Sequence, residues 1–438
     1  MAAKPRIVVV GGGAAGLELV ARLGRKLARR GRAEVILVER NRSHIWKPLL
    51  HEVASGALDS SLDEVGYRSH AHRYGYRYFP RALEAIDRDA QAVVLAPIVD
   101  EDGEEVMGRY RLSYDWLVIA IGSVSNDFGT PGVAEHCIYL DQRRQAERFR
   151  QKLLNLCLKV SQQVSDDPAS DAKVRVAIVG GGATGVELSA ELYNAARELA
   201  HYGLERFDNS RMDVTLVEAG PRILPAVPER VSDAAHKELE RIGVHVRTAT
   251  RIVACTPQGM QTADGDLIAA PLRVWAAGIK APDFLKDIAG LETNRLNQLV
   301  VTPELRTSRD PRIFAIGDCC SCALPGWERP VPPRAQAAHQ MASRTARNLA
   351  ALLAGRPLKP FVYKDHGSLV SLSHYSTIGS LMGNLVGGSM RVEGRIARFV
   401  YVSLYRLHLI AVHGWLRAIA MILVGHINRV IRPRIKLH

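Results

Sequence analysis

Two glycine-rich hexapeptides carry the chemistry most readily read from this chain. Gly11-Gly12-Gly13-Ala14-Ala15-Gly16 follows the apolar run Ile7-Val8-Val9-Val10, and Gly180-Gly181-Gly182-Ala183-Thr184-Gly185 follows Val176-Ala177-Ile178-Val179. In each, the first glycine permits a tight turn, the second lets backbone approach a pyrophosphate, and the third allows close strand–helix packing. The helix behind it offers N–H groups and partial positive charge to the phosphates. Each hexapeptide is followed by a strand ending in an acid, Val35-Ile36-Leu37-Val38-Glu39 and Val214-Thr215-Leu216-Val217-Glu218. A carboxylate there can accept hydrogen bonds from a ribose diol. A single GxGxxG also occurs in ordinary glycine-rich turns. Two, each in the same strand–turn–helix–strand–acid setting, predict two dinucleotide sites in one chain.

Further candidates lie beyond the second fingerprint. Glu187 stands two residues after Gly185, where the bland alternative is an acid stabilised at a helix N-terminus. Gln336 and Gln340 are spaced i and i+4, so a helix projects both amides from one face. An amide pair donates and accepts without titrating, which suits neutral carbonyls such as a quinone headgroup, although two glutamines also suit a solvated helix face. Cys319-Cys320-Ser321-Cys322 is the one cysteine cluster, and it lacks a second pair of ligands at metal-site spacing. No metal is expected.

The elements that must position these residues repeat. Residues 6–39 read as strand, glycine turn, helix (Leu17, Leu19, Val20, Leu23, Leu27) and strand; residues 174–218 repeat that order. Each half then has a buried strand running to a glycine, Tyr114-Asp115-Trp116-Leu117-Val118-Ile119-Ala120-Ile121-Gly122 and Leu272-Arg273-Val274-Trp275-Ala276-Ala277-Gly278. A helix is predicted over about 141–164, a polar linker over 165–171, and a late strand at Ile313-Phe314-Ala315-Ile316-Gly317-Asp318. The architecture is duplicated.

This order of parts resembles the two-dinucleotide-binding-domain flavoproteins of the disulfide-reductase superfamily. The resemblance implies an α/β fold with two Rossmann-like domains, FAD at the first fingerprint and a nicotinamide cofactor at the second. It gives Gly11, Gly13, Ala14, Ala15, Gly16, Glu39, Gly122 and Asp318 to FAD, and Gly180, Gly182, Ala183, Thr184, Gly185, Glu218 and Gly278 to NADH. The implied domains are 1–128 with 296–355 for FAD, 129–295 for NADH, and 356–438 as a membrane-associating region. Ile121 departs from the pattern, where the family often has threonine. Glu218 favours NADH over NADPH because a carboxylate repels a 2′-phosphate, with Arg222 close enough to soften that preference.

No cysteine precedes Cys137, so the stretch Ser43–Glu52 holds no thiols for disulfide chemistry. Ala335-Gln336-Ala337-Ala338-His339-Gln340, just after the Gly-Asp strand, instead resembles the quinone-site motif of type II NADH:quinone oxidoreductases. His44–Gly56, Glu218–Arg222, Trp275–Gly278, Gly367–Leu372 and Tyr405–His408 are similar to the same family, so the likeness covers essentially the whole chain. It implies hydride transfer from NADH to FAD, then two electrons to a membrane quinone without proton translocation. Gln336 and Gln340 then face the quinone, and Glu187 lies between the nicotinamide and quinone regions. Sulfide:quinone oxidoreductase is the alternative enzyme, needing cysteines at the flavin for which Cys157 and one of Cys319, Cys320 or Cys322 are the candidates. A non-catalytic membrane redox sensor is the alternative from another class.

Composition fits this reading. The chain has 438 residues, a formal charge of +13, 47% hydrophobic and 24% charged residues, which argues against disorder. The charge is uneven: after Glu393 there is no acid, but Arg395, Arg398, Arg406, Arg417, Arg429, Arg432, Arg434 and Lys436 follow. With Phe399, Val402, Leu409, Leu416, Leu423 and Ile427 interleaved, and Tyr401, Tyr405 and Trp415 at interfacial depth, the tail reads as a helix pair or bent helix lying on an anionic lipid surface and ended by Pro433. A buried C-terminal helix or a homodimer interface is the alternative, and no nucleic-acid module accompanies the charge. No uncharged apolar run reaches spanning length. Strand residues begin too close to Met1 for a signal peptide, which places the expected enzyme peripherally on the cytoplasmic face of the cell membrane.

Overall fold

The computed structural model describes residues 4–60, 64–200, 204, 207–365 and 408–424 with their side chains, and 368–372, 376–381, 390–393 and 425–431 as backbone elements. The chain divides into two compact units. The first comprises Met1–Trp46, Glu64–Val124 and Ile279–Asp365; the second comprises Lys47–Asp63, Ser125–Gly278 and His366–His438.

In chain order the principal elements begin with β1 (Arg6–Val10), α1 (Ala14–Leu23), β2 (Glu34–Val38), α2 (Leu50–Ser55), β3 (Trp116–Ile119), α3 (Val133–His136) and α4 (Arg143–Asp166). They continue with β4 (Val174–Val179), α5 (Ala183–His201), β5 (Met212–Val217), β6 (Ile252–Cys255) and β7 (Leu272–Trp275). The last are β8 (Asp310–Ala315), α6 (Ala335–Leu352) and α7 (Trp415–Ile431).

In the first unit β1 pairs in parallel with β2 on one side (Ile7 opposite Val35) and β3 on the other (Ile7 opposite Trp116). β8 joins beyond β3 (Leu117 opposite Ile313), and Arg77–Phe79 joins beyond β2. Among the described residues the sheet has eight strands. Both faces of its centre are covered, so the strands are apolar throughout rather than alternating: Ile7, Val8, Val9, Leu117, Val118 and Ile119 have no exposed surface. The chain leaves β1 between strands that continue on opposite sides, which puts the topological switch point at residues 11–13.

The second unit repeats the device. β4 lies between β5 (Ile178 opposite Leu216) and β7 (Ile178 opposite Val274), all parallel, so its switch point falls at residues 180–182. α4 starts two residues later than the sequence spacing suggests, because Gln145 Oε1 accepts the N–H groups of Asp141 and Gln142 and closes that end. Its buried residues Ala146, Phe149, Leu153, Cys157, Val160 and Val164 recur every three or four positions. α2 packs against α4 and α5 within this unit.

The C-terminal region is not wholly helical. Strands Ser368–Leu372, Ser376–Leu381 and Met390–Glu393 form an antiparallel sheet that the sequence reading did not foresee. Residues 408–413 are helical, Gly414 breaks the helix with φ +81°, and α7 follows, so the bend in the expected helix lies at Gly414. Arg395, Arg398, Arg406, Arg432, Arg434, Lys436, Phe399, Tyr401, Val402, Tyr405 and Pro433 lie outside the described residues, and Arg429 and Ile427 are described as backbone alone.

Candidate functional site

The two glycine loops have the same stereochemistry. Gly11 and Gly180 take φ of +102° and +113°, and a Cβ on either would stand 2.4 Å from the Ala120 carbonyl oxygen or 2.7 Å from the Ala276 carbonyl carbon. A Cβ on Gly16 or Gly185 would stand 1.8 or 2.0 Å from the carbonyl oxygen of the first glycine in its own loop. The second glycines differ: Gly13 and Gly182 have no atom within 4 Å of where a Cβ would be. First and third glycines are thus required by packing, and the second opens onto space through which a pyrophosphate can approach backbone. No side chain caps α1, which leaves the first-turn amides of Ala14 and Ala15 directed at that space. Ala183 and Thr184 open α5 in the equivalent place.

Each acid is turned back onto its cradle. Glu39 Oε2 accepts from Gly12 N–H at 2.8 Å, while its Oε1 accepts from Asn41 N–H at 2.9 Å and Asn41 Nδ2 at 2.8 Å. Glu218 does the same, Oε2 from Gly181 N–H and Oε1 from Gly220 N–H, both at 2.7 Å. The two carboxylates are therefore held by matching pairs of backbone donors, and Glu39 Oε2 and both Glu218 oxygens retain a lone pair for a ribose hydroxyl. Arg222 does not sit ready for a 2′-phosphate. Its guanidinium donates to the carbonyls of Leu224 (3.2 Å), Val227 (3.1 Å) and Pro225 (3.0 Å).

At the first cradle Gly122 follows β3 with φ +73°, and nothing lies within 4 Å of its missing Cβ. Ser123 Oγ donates to Asp318 Oδ2 at 2.9 Å, and Gln298 Nε2 donates to the Asp318 carbonyl at 2.9 Å. Gly122 and Asp318, far apart in sequence, thus lie together at the ends of β3 and β8. Tyr67 Oη donates to the Gly12 carbonyl at 2.7 Å and leaves no room for a side chain there. Burial, with the charge of Glu39, raises the Tyr67 phenol well above its ordinary value, so it remains a donor. In the second unit Gly278 has φ +61° and lies against the Phe128 ring.

Glu187 is buried on α5, and His51 Nδ1 from α2 approaches its Oε2 to 3.5 Å. Burial pushes the His51 imidazole down to about 4, opposed by a hydrogen bond with the Pro48 backbone, so His51 is neutral at pH 7. On α6, Gln336 Nε2 donates to Asp365 Oδ1 at 3.0 Å. Gln340 closes a ring with Lys364, donating to its carbonyl at 2.8 Å and accepting its N–H at 2.9 Å. Both amides therefore face the segment of chain that follows α6 at Lys364 and Asp365. His339 lies between them in sequence, hydrogen-bonds buried Glu18 of α1 and stacks on Trp46 with ring centroids 5.5 Å apart. Burial alone would raise Glu18; His339 and Arg22 outweigh it and hold the carboxyl below its ordinary range.

Tyr67, His51, Glu18 and Gln298 were not identified from sequence as site residues. Tyr67 and Gln298 reach the first cradle, and His51 reaches Glu187, from distant parts of the chain. Glu18 stands two residues after Gly16, but its partner His339 is distant, and none of the four carries a local motif. The cysteines proposed for a sulfide-oxidising alternative are buried, and burial raises the thiols of Cys157, Cys319, Cys320 and Cys322.

Comparison with known proteins shows the family. Residues 5–342 match the family model described as pyridine nucleotide-disulphide oxidoreductase. A Type II NADH:quinone oxidoreductase of Haemophilus influenzae is 48% identical, covering 99% of each chain. One of Staphylococcus aureus is 30% identical over 88% of this chain and 92% of its own. Among solved structures, NDH2 of Plasmodium falciparum in complex with NADH superposes with a TM-score of 0.81 at 18% identity, over 99% of this chain and all of that one. The sulfide:quinone oxidoreductase of Aquifex aeolicus shares the fold at a TM-score of 0.70 and 16% identity.

Proposed function

We propose, because the chain belongs to the pyridine nucleotide-disulphide oxidoreductases and within them to the type II NADH:quinone oxidoreductases, that it oxidises NADH and reduces a membrane quinone. NADH, quinone and one proton give NAD⁺ and quinol. The observation that carries this reading is the duplicated cradle: two switch-point loops, each with an open second glycine and an acid pinned by two backbone N–H groups. FAD fits the first cradle and supplies the two-electron chemistry when bound. Gly11, Gly13, Ala14, Ala15 and Gly16 receive its pyrophosphate, Glu39 its ribose, and Gly122 with Asp318 the chain between.

NADH takes the second cradle, with Gly180, Gly182, Ala183, Thr184 and Gly185 at its pyrophosphate, Glu218 on its ribose diol and Gly278 at the strand end beyond. With Arg222 committed to carbonyls, Glu218 alone decides against NADPH. Glu187 exchanges the proton the reaction consumes, beside neutral His51. Gln336 and Gln340 recognise the quinone carbonyls, which requires them to exchange their bonds to Asp365 and Lys364 for bonds to the substrate. Among the described residues no helix is long and apolar enough to cross a membrane. We place it peripherally on the cytoplasmic face, held to anionic lipid by the C-terminal region.

The test is anaerobic. The protein is reduced with one equivalent of NADH and the flavin absorbance is followed; a short-chain ubiquinone is then added. Bleaching followed by rapid recovery is expected, with recovery slowed in Gln336→Ala and Gln340→Ala. A flavin that NADH bleaches and quinone leaves reduced overturns the reading.

A further inference from the structure

The six cysteines are free thiols, and all are buried. Two of them, 118 residues apart in sequence, meet in the second unit: Cys137 Sγ donates to Cys255 Sγ across 3.5 Å. A disulfide has an S–S length of about 2.05 Å, so closure needs an approach of about 1.5 Å. Both residues sit where the chain can supply it. Cys137 follows the single turn of α3 in extended conformation (φ −112°, ψ 158°), and Cys255 is the last residue of β6. The two segments are already docked, since Cys255 N–H donates to the Pro131 carbonyl at 2.8 Å and Gly132 lies against the Cys255 carbonyl.

The surroundings are apolar, with Val133, Ile252, Met260 and Trp275, apart from one cation. Arg273 on β7 is buried and donates to the Thr256 and Pro257 carbonyls, while its Nε has no hydrogen-bond partner among the described residues. Its positive charge favours a thiolate on either sulfur. The hydrogen bond from Cys137 lowers Cys255 against the effect of burial, and the same bond together with burial raises Cys137. One sulfur is therefore the nucleophile and the other its proton-bearing neighbour. Nothing in the NADH and quinone chemistry uses either.

We propose that Cys137 and Cys255 are a redox-active pair that hydrogen peroxide closes into a disulfide and a dithiol reductant reopens. The Cys255 thiolate attacks a peroxide oxygen: an S–O bond forms, the O–O bond breaks and hydroxide leaves, taking up the proton Cys255 had lost. Cys137 sulfur then attacks Cys255 sulfur. The S–S bond forms, the S–O bond breaks, and the Cys137 proton departs with the hydroxyl as water. Two thiols lose two electrons, and peroxide becomes two waters. The bond ties α3 and β6 to the segment at Ile138, whose carbonyl accepts from Trp275 N–H at 3.0 Å on the strand leading to Gly278.

Native holoenzyme is treated with hydrogen peroxide, unfolded, alkylated, and mapped by mass spectrometry. The expected result is four alkylated cysteines instead of the six of the untreated chain. A cross-linked peptide pair should contain Cys137 and Cys255, and dithiothreitol should restore all six. In Cys137→Ser, Cys255 should instead be trapped as sulfenic acid by dimedone, with NADH:quinone turnover unchanged before oxidation. Six alkylated cysteines after peroxide, a cross-link among Cys319, Cys320 and Cys322, or over-oxidation of unpaired Cys255 in the wild-type chain would each overturn the proposal. The wild-type experiment decides it even if the variant does not fold.

Discussion

At the residue scale the buried His51 ties stability to pH with a definite sign. An exposed histidine titrates near ~6.5, and burial holds His51 at about 4, so below ~6.5 protons bind the unfolded chain in preference to the folded one. The contribution is whole above that value and is lost as pH falls toward about 4, amounting to about 2 kcal/mol between pH 7 and pH 5. Thermal unfolding at these two pH values should show a larger loss for the wild-type chain than for His51→Gln; equal losses would refute the assignment. Glu218 makes a different kind of prediction. Removing its carboxylate in Glu218→Ala strips the acceptor from Gly181 and Gly220 N–H and from a bound ribose, so kcat/KM for NADH should fall roughly tenfold or more. NADPH loses its electrostatic obstacle at the same time, so the NADPH-to-NADH ratio should rise, read from initial rates with each cofactor. A ratio that stays fixed would mean that another group sets the preference.

At the scale of elements, the strand–turn–helix units separate packing from binding within one motif. In Gly185→Ala the new Cβ would stand 2.0 Å from the Gly180 carbonyl oxygen, forcing α5 away from β4, and overpacking of this kind costs about 1–3 kcal/mol. Gly182→Ala meets nothing within 4 Å, so it should fold normally and instead raise KM for NADH by blocking the approach of the pyrophosphate. Melting temperature and KM together distinguish the two; a Gly182→Ala protein with unchanged KM would remove the second cradle from the NADH site. The same contrast explains what was legible beforehand. A glycine turn and its acid are local, within forty residues of chain, so their types and order declare them in advance. The matching bonds from Glu39 to Gly12 and from Glu218 to Gly181 follow from that order. Tyr67 beneath Gly12, His51 beside Glu187 and Glu18 against His339 depend on which distant helices pack together, and no periodicity reports that. Arg222 looked available because its type is legible and its three carbonyl partners are not. The strands between residues 368 and 393 were missed for a related reason: their antiparallel pairing is made between segments, and the charge and composition of the tail do not report it.

For the whole molecule, the question is what the C-terminal end is built to meet. α7 is inverted relative to an ordinary surface helix. Ala418 is buried, as is Val412 on the helical segment before Gly414, yet Trp415, Leu416, Ile419, Leu423 and Val424 stand exposed, Trp415 and Leu416 by 63% and 66%. A contiguous apolar face in water is unfavourable, and each large side chain that leaves water on an apolar partner recovers about 1.5–3 kcal/mol. The basic residues spread through the same region add about 1 kcal/mol each near an anionic lipid surface, a contribution that salt screens. Two forces with different salt dependence therefore act on one segment, and they can be separated. Sedimentation with anionic vesicles should weaken as salt rises but level off above zero, the residue being the apolar face. A combined Trp415→Ser, Leu416→Ser and Leu423→Ser variant should lose that salt-resistant part and reduce quinone embedded in vesicles more slowly. Its NADH oxidation with a soluble acceptor should be unchanged, because the substituted side chains are solvent-facing and contribute little to folding. If the variant sediments as the wild-type chain does at high salt, the exposed face serves another contact. Concentration-dependent dimerisation lost in the same variant would then identify that contact as a second copy.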